Sequence, residues 1–153
     1  MRRVMTFCLA GTWLEAEAVG TITLDYDDRY RRRIRLHDDE GEPFLLDLVE
    51  AVLLADGDGL AVSDGGYIRV CAAEEPVADV RCRSLTETAR VAWHIGNRHI
   101  PLQVLDDGAL RIHDDHVIVD MARRLGADVE QKTAPFSPEP GAYAQANGHD
   151  HDH

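Results

Sequence analysis

The sequence predicts an α+β protein: a small N-terminal β sandwich or barrel, a ferredoxin-like βαββαβ domain, and a mobile C-terminal tail that contains histidines. Three observations lead to this prediction. Short alternating segments separated by Asp and Gly turns fill residues 1–73. The hydrophobic period then changes, and helical patterns alternate with strand patterns over residues 77–133. Residues 134–153 show no periodicity and include three prolines, which is typical of an extended segment.

The first domain is predicted from its strand patterns. Residues 20–26 and 32–37 alternate apolar and polar side chains, as half-buried strands do. Residues 59–70 contain a strand, an Asp-Gly-Gly turn and a second strand, which is a strong hairpin signal. Pro76 stands in an acidic stretch and is expected to break the ladder there, because proline has no N–H to donate.

The second domain is predicted to start with a short strand at residues 77–82 and a helix at residues 84–96. Ser84 and Glu87 have the spacing of a capping box, in which each side chain binds a free backbone N–H. Gly96 is expected to end the helix in a left-handed conformation. The face predicted to be buried consists of Leu85, Ala89, Ala92 and Ile95.

The domain is predicted to continue with two strands within residues 100–114, around the Asp107-Gly108 turn. A second helix follows, capped by Asp114 or Asp115 and stopped at Gly126. Its predicted buried face consists of Val117, Met121 and Leu125. With a last strand at residues 128–131, the order is β-α-β-β-α-β, the ferredoxin-like arrangement.

Composition excludes several classes of function. The formal net charge is −12, which repels nucleic acids and anionic membranes. No apolar run approaches the length of a membrane span, and no cleavable leader is evident, so the expected location is the cytoplasm. The three cysteines form no CxxC and are expected to be reduced thiols. Catalytic signatures are absent, so an enzyme is not expected; a metal-dependent enzyme would need an acid or base beside an open metal position.

The C-terminal end carries three histidines in alternation with aspartates. In an extended chain the imidazoles would point one way, with the carboxylates opposite. Imidazole suits nickel, copper and zinc. The sequence thus predicts metal ligands here, although a solvated acidic end or a purification tag would have a similar composition. The candidate ligands are His149, His151 and His153.

His99 follows the first helix and precedes a strand. It is either an ordinary polar loop residue or a metal ligand. One imidazole holds a metal weakly, but two brought together by a two-fold axis hold it better, because an isologous interface repeats every ligand. His94 lies on the polar face of the helix and is interpreted as a helix-end cation.

A secondary metal site is a further candidate at the start of the second helix. His113 and His116 flank two aspartates, and Asp120 lies one turn beyond His116. The simpler interpretation is that the aspartates only cap an exposed first turn. The basic run at residues 29–35 also leaves two readings open: a docking face for an acidic partner, or an edge strand whose charges block pairing.

Four segments resemble, in order, those of the urease accessory protein E (UreE) family, the nickel metallochaperones of urease. The first is "HIGNRHIPLQV", which is similar to the signature of the family. The second helix "DHVIVDMARRLGADVE", the segment "PFSPEPGAYA" and the histidine-rich end also agree. The strand-rich first half, including "DGGYIRVCAAEE", fits as well.

The resemblance implies a role for each part of the chain. Residues 1–73 would contact partner proteins or peptides, residues 77–133 would bind metal and dimerise, and residues 134–153 would be a flexible metal-binding tail. His99 would bind Ni²⁺ at the interface of a homodimer, paired with its mate. The tail histidines His149, His151 or His153 would complete the coordination. His116 matches a position of extra metal binding, but Asp114 stands where some relatives have a further histidine.

The implied function is delivery of Ni²⁺ during urease active-site assembly, with the urease accessory GTPase and the urease apoprotein complex as partners. Zn²⁺ or Cu²⁺ would also bind in vitro, because the affinity order of divalent metals does not favour nickel over copper. The alternative is a general nickel, zinc or copper buffer or storage protein that has no urease-specific transfer partner.

Overall fold

A computed structural model of the chain describes residues 1–141. The chain divides into two compact units, Met1–Glu74 and a second unit that begins at Glu75. Within the described residues, no helix is both long enough and apolar enough to cross a bilayer. Each unit has its own hydrophobic core, as expected for elements that bury one face against a partner layer.

The first unit is one curled six-stranded sheet, which confirms the predicted small β domain. The strand order is β2-β6-β5-β1-β4-β3, so β2 and β3 form its edges. The strands are β1 (Arg2–Cys8), β2 (Ala18–Leu24), β3 (Tyr30–His37), β4 (Pro43–Leu53), β5 (Gly59–Val62) and β6 (Tyr67–Ala72).

The predicted hairpin is confirmed as the antiparallel pair β5 and β6. Its turn closes with a bond from the Val62 N–H to the Gly66 carbonyl at 3.0 Å. Gly65 and Gly66 have φ values of +103° and +80°, which a residue with a Cβ rarely adopts. Strands β1 and β4, which were not predicted individually, supply central residues of the core such as Val4, Phe44 and Leu46.

The basic run lies on the edge strand β3 and in the turn before it. Arg29 is only 1% exposed and donates to the carbonyls of Leu54 and Leu24, both at 3.1 Å. Arg31 pairs with Asp28 at 2.8 Å. Much of the run therefore serves the fold of this unit, in keeping with the interpretation as a charged edge strand.

The second unit has the predicted order β-α-β-β-α-β, which confirms the ferredoxin-like architecture. The sheet order is β10-β7-β9-β8, with β10 and β8 at opposite edges. The elements are β7 (Glu74–Arg81), α1 (Leu85–Asn97), β8 (Gln103–Val104), β9 (Leu110–His113), α2 (His116–Arg124) and β10 (Asp128–Pro135).

Two strand predictions need correction. The prediction that Pro76 breaks the ladder is wrong, because Pro76 lies inside β7 and its carbonyl accepts the Asp114 N–H at 3.3 Å. A proline lacks only the donor, so its carbonyl still takes part in pairing. The last strand was predicted at residues 128–131 but continues to Pro135, where the predicted tail had already begun.

The prediction of which helix residues are buried was wrong in part. In α1, Leu85 is 89% exposed and Ala89 is exposed, whereas Val91 and Ile95 are buried. In α2, Val117 is 61% exposed. The α2 residues buried in the core are Ile118, Val119 and Ala122. Apolar residues lie on more than one side of each helix, and the sheet selects the side that is covered.

The sheet of the second unit has one face toward the helices and one face away from them. Ala78 and Val80 pack with the helices in the core. Since side chains alternate along a strand, Asp79 points to the opposite face. There it is 1% exposed and accepts two hydrogen bonds from Arg111, at 2.7 and 3.0 Å. Lys132 lies 3.7 Å from the same carboxylate.

The hydrogen bonds from Arg111 hold the pKa of Asp79 below its ordinary value of 3.8, against the opposing effect of burial. A carboxyl group with a depressed pKa in the folded state stabilises the fold above its unfolded pKa and loses that contribution as the pH falls through the folded value. Asp79→Asn should lower the free energy of unfolding by about 3 kcal/mol at pH 7. The difference from the parent should shrink once the pH falls below 3.8. Urea unfolding at several pH values measures the difference in the free energy of unfolding between the two proteins. A difference that does not change with pH would contradict this role of the Asp79 charge.

Candidate metal centre

His99 is held in place by the turn that ends α1. Helix α1 begins at its N-cap Ser84, whose hydroxyl accepts the Glu87 N–H at 3.1 Å as predicted. It ends with two backbone bonds: from the His99 N–H to the Gly96 carbonyl at 3.0 Å, and from the Ile100 N–H to the Ile95 carbonyl at 3.4 Å. These two bonds are the pattern of the Schellman motif, with His99 at the left-handed position.

The backbone of His99 has a φ of +59°, the only positive value of a non-glycine residue in the described part of the chain. The prediction that Gly96 takes the left-handed conformation is therefore wrong. The helix continues past Gly96 because Ile100, the residue after the turn, packs against the core cluster that contains Ile95. A hydrophobic contact of this kind commonly accompanies the motif and fixes where the helix stops.

Helix α2 ends with the same motif, but with a glycine at the left-handed position. The Gly126 N–H bonds the Arg123 carbonyl at 3.0 Å, and the Ala127 N–H bonds the Ala122 carbonyl at 3.1 Å. Gly126 has a φ of +95°, as predicted for the helix stop. The left-handed position thus holds glycine, the residue that fits it best, at the end of α2, but histidine at the equivalent end of α1. Strain of this sort is typical of functional positions.

The imidazole of His99 is exposed at the end of the helix. The motif uses only its backbone N–H, so the position of the ring is set without a side-chain partner. Residues 1–141 contain no group of three His, Cys, Asp or Glu side chains arranged to hold a metal ion. Among these residues, His99 is an exposed imidazole that belongs to no such group.

His94 lies one turn before the helix end, where its ring meets the edge of Trp93 with centroids 5.1 Å apart. Its carbonyl accepts a bond from Arg98 at 3.1 Å. His94 is half-buried, and it lies in the last turn, where a cation is favoured. The interpretation of His94 as a helix-end residue fits this geometry.

His116 and Asp120 line a depression of about 420 Å³ on α2. Two guanidinium groups, of Arg98 and Arg124, line it as well. Positive groups beside the histidine disfavour a cation there. The predicted cap is confirmed at Asp115, whose carboxylate accepts the Val117 N–H at 2.9 Å. A secondary metal site at His116 thus remains a prediction, in a setting that opposes it.

His113 lies on the side of β9 away from the helices. Its Nε2 is 2.7 Å from a carboxylate oxygen of Glu75, and its ring contacts Phe136 with centroids 4.3 Å apart. The structure gives His113 a carboxylate partner and a stacking partner within the fold, and it does not line the depression that contains His116. The carboxylate of Asp114 is likewise engaged, by Gln131 at 2.9 Å.

The tail ligands His149, His151 and His153 lie outside the described residues. Two features near His99 were not predicted. The first is its left-handed backbone, although the apolar Ile100 just after the turn was a signal for it. The second is an exposed apolar stripe on α1, formed by Leu85, Ala89 and Trp93 at a spacing of four residues.

Comparison with known proteins gives the same assignment for both units. Residues 8–73 match the N-terminal domain of the UreE urease accessory protein, and residues 75–153 match its C-terminal domain. The urease accessory protein UreE of Chelativorans sp. (strain BNC1) is 53% identical over 137 residues, which are 89% of this chain and 85% of that protein.

The UreE of Rhodopseudomonas palustris (strain BisB18) is 48% identical over 141 residues, which are 92% of this chain and 66% of that protein. A second R. palustris relative (strain HaA2) is 49% identical, and the chain covers 62% of it. The chain thus spans somewhat less than two thirds of the length of these two relatives. Its two-unit fold and these matches define it as a urease accessory protein. More narrowly, it belongs to the UreE family.

The two equivalent helix ends allow a test of the strain at His99. In metal-free protein, His99→Gly should raise the free energy of unfolding by about 0.5–1 kcal/mol, because glycine adopts the left-handed conformation without a Cβ clash. Gly126→Ala should lower it by about 1 kcal/mol. A Cβ at residue 126 would meet nothing nearer than 3.8 Å, so its cost comes from the backbone alone. Urea unfolding checks both variants; a destabilised His99→Gly would mean that the imidazole supports the fold.

Proposed function

We propose that this chain is a nickel metallochaperone, which binds Ni²⁺ as a homodimer and delivers it during assembly of the urease active site. The observation that carries the proposal is the imidazole of His99, which the backbone holds out at a strained helix end. Membership of a urease accessory family supports the proposal, because the resemblance to that family implies a role in nickel delivery. Imidazole nitrogen is a suitable ligand for Ni²⁺.

The ligand set at His99 requires a second protomer. A single exposed imidazole binds a divalent ion weakly, whereas a two-fold axis through this helix end would bring two of them together. The tail residues His149, His151 and His153 would supply further nitrogens. Ligands of this kind exchange readily, which suits a protein that has to give up its ion, since transfer depends on a fast dissociation rate.

The apolar stripe of α1 supports the homodimer. Leu85 and Trp93 are 89% and 62% exposed, although they lie on the helix that ends at His99. Residues four apart lie on one face of a helix, so these side chains and Ala89 form a single surface. Exposed tryptophan is enriched where proteins associate. A two-fold axis that passes close to the C-terminal end of α1 would both bury part of this surface against its symmetry mate and bring the two His99 residues together.

We further propose the division of roles within the chain. The second unit binds nickel and dimerises, and the first unit contacts partner proteins. By family membership these partners are the urease accessory GTPase and the urease apoprotein complex, in the cytoplasm. The protein acts as an accessory factor and not as an enzyme. A general metal buffer would share the site but would not dock with these proteins.

Calorimetric nickel titration tests the assignment of His99. His99→Ala should weaken nickel binding by at least tenfold, because it removes both imidazoles of the dimer at once. His94→Ala, five residues earlier in the last turn of α1, is the matched control and should bind like the parent. A His99→Ala protein that binds nickel as tightly as the parent would end the proposal. Failure of the loaded parent to transfer nickel to the urease complex would point to a buffer instead.

Sedimentation velocity tests the proposed interface. Trp93→Glu puts a charge into the apolar stripe and should shift the dimer toward monomer, with a parallel loss of nickel affinity. Val49→Glu is the control, because Val49 is also exposed, at 87%, but lies in the first unit. It should leave the dimer intact. A Trp93→Glu protein that remains as dimeric as the parent would show that this stripe is not the interface.

A further inference from the structure

The two edge strands of the first unit differ in what covers their outer backbone groups. At β2, the segment after β3 takes the place of a further strand. The Asp39 N–H donates to the Thr21 carbonyl at 2.8 Å, and the Asp39 carboxylate accepts the Thr23 N–H at 3.0 Å. Strand β3, by contrast, is hydrogen-bonded to β4 alone among the strands of residues 1–141. Its other edge is therefore a row of backbone donors and acceptors with which a further strand could pair.

Strand β3 is long enough and exposed enough to accept such a strand. It has eight residues, Tyr30–His37, whereas strands commonly have about five or six. Ile34 and Leu36 pack against the core of the unit and hold β3 in the sheet. Because side chains alternate along a strand, Arg33 and Arg35 point to the other face, where both are exposed. We call these two arginines, together with the open backbone edge beside them, the basic edge.

The sheet face at the basic edge is positively charged, although the chain as a whole is acidic. Leu45 of β4 lies between Arg35 of β3 and Arg3 of β1. Neither of these arginines makes an ion pair within the described residues. Arg33 lies 3.6 Å from the carboxylate of Asp47. Three positive charges less one negative charge leave +2 on these residues, in a chain whose formal net charge is −12.

The charge of the basic edge selects the strands that can pair with it. A second copy of β3 would bring arginine against arginine, and like charges directly opposite in a sheet are destabilising. A strand with carboxylates would instead place opposite charges side by side. A short segment senses mainly the charges within a Debye length of about 8 Å. A nucleic acid or a membrane presents charge over a wider area, where the acidic remainder of the chain repels it.

We propose that the basic edge is the docking site for an extended acidic segment of a partner protein, which adds to the sheet as a strand beside β3. This inference rests on the proposed function of the first unit in partner contact, and it names the surface and the chemistry of the segment. Main-chain hydrogen bonds to β3 supply affinity, and carboxylates beside Arg33 and Arg35 supply specificity. The segment has acidic residues at every second position, because alternate residues of a strand face the same side.

Fluorescence anisotropy tests this with the full chain and a labelled octapeptide of alternating glutamate and valine. The peptide should bind the parent, and it should bind the double variant Arg33→Glu, Arg35→Glu at least tenfold more weakly. Each reversal turns an attractive pair into a repulsive one. The matched control is Arg83→Glu, Arg90→Glu, which changes the net charge equally at two exposed residues of the second unit and should bind like the parent. Equal weakening in both double variants would mean that only overall charge acts, and it would overturn the inference.

Two further peptides test strand addition with the unaltered chain, so this result does not depend on the folding of a variant. The same peptide with N-methyl groups on its backbone nitrogens cannot donate to β3 and should bind at least tenfold more weakly. A peptide with lysine in place of glutamate should not bind, because its charges are repelled. If the N-methylated peptide binds as tightly as the unmodified one, no strand is added and the inference is wrong.

A single-stranded DNA oligonucleotide tests whether the basic edge selects an acidic peptide or any anion. It should not displace the labelled octapeptide from the parent at matched charge concentration, because it makes no backbone ladder with β3 and the acidic chain repels it. Displacement would show that the edge binds anions in general, which contradicts the proposal.

Binding to the urease apoprotein complex separates this inference from the proposed function on which it rests. The parent should bind the complex, and Arg33→Glu, Arg35→Glu should bind it at least tenfold more weakly while its affinity for nickel is unchanged. If the two proteins bind the complex equally, the basic edge is not the docking site, whereas partner contact by this chain stands. If the parent does not bind the complex, both the proposed partner contact and this inference are wrong.

Discussion

The left-handed turn at His99 is the constraint on which the rest of the second unit depends. Its two backbone bonds end α1, and they turn the chain so that Ile100 enters the core beside Ile95. Because the turn is made by backbone groups, the imidazole takes no part in holding it and remains exposed. A glycine would close the same turn with less strain, as Gly126 does at the end of α2. A histidine at this position is therefore explained better by function than by the needs of the fold.

The sheet beneath the helices connects this turn to the C-terminal end of the chain. Its buried Asp79–Arg111 pair lies on the face away from the helices, and Arg111 also donates to the Pro135 carbonyl at the end of β10. Phe136 covers the same face. One layer of side chains thus stabilises the sheet and directs the chain toward β8, the strand that follows His99. The turn at His99 packs on the helix side of this sheet, and Phe136 packs on the other side.

Local signals predicted much of this fold, and tertiary contacts decided the rest. The Asp-Gly-Gly hairpin and the Ser84 cap depend on a few neighbouring residues, and both are present. The helix faces were harder, because Leu85 and Val91 both fit an apolar pattern and only the position of the sheet distinguishes them. Gly96 is a residue type that commonly ends a helix, but α1 continues past it because burial of Ile100 requires the turn at His99. Residues 135–139 have no periodicity to detect, since most of their hydrogen bonds are made by their own backbone groups.

The central claim is that two His99 imidazoles related by a two-fold axis bind the same nickel ion. A crystal structure of the nickel-loaded protein tests it most directly, by the identity of the nitrogens that surround the ion. We expect one ring nitrogen from His99 of each protomer about 2.0–2.2 Å from the metal, a range typical of metal–imidazole bonds. A structure with the ion bound elsewhere, and the two His99 rings far apart, would contradict it.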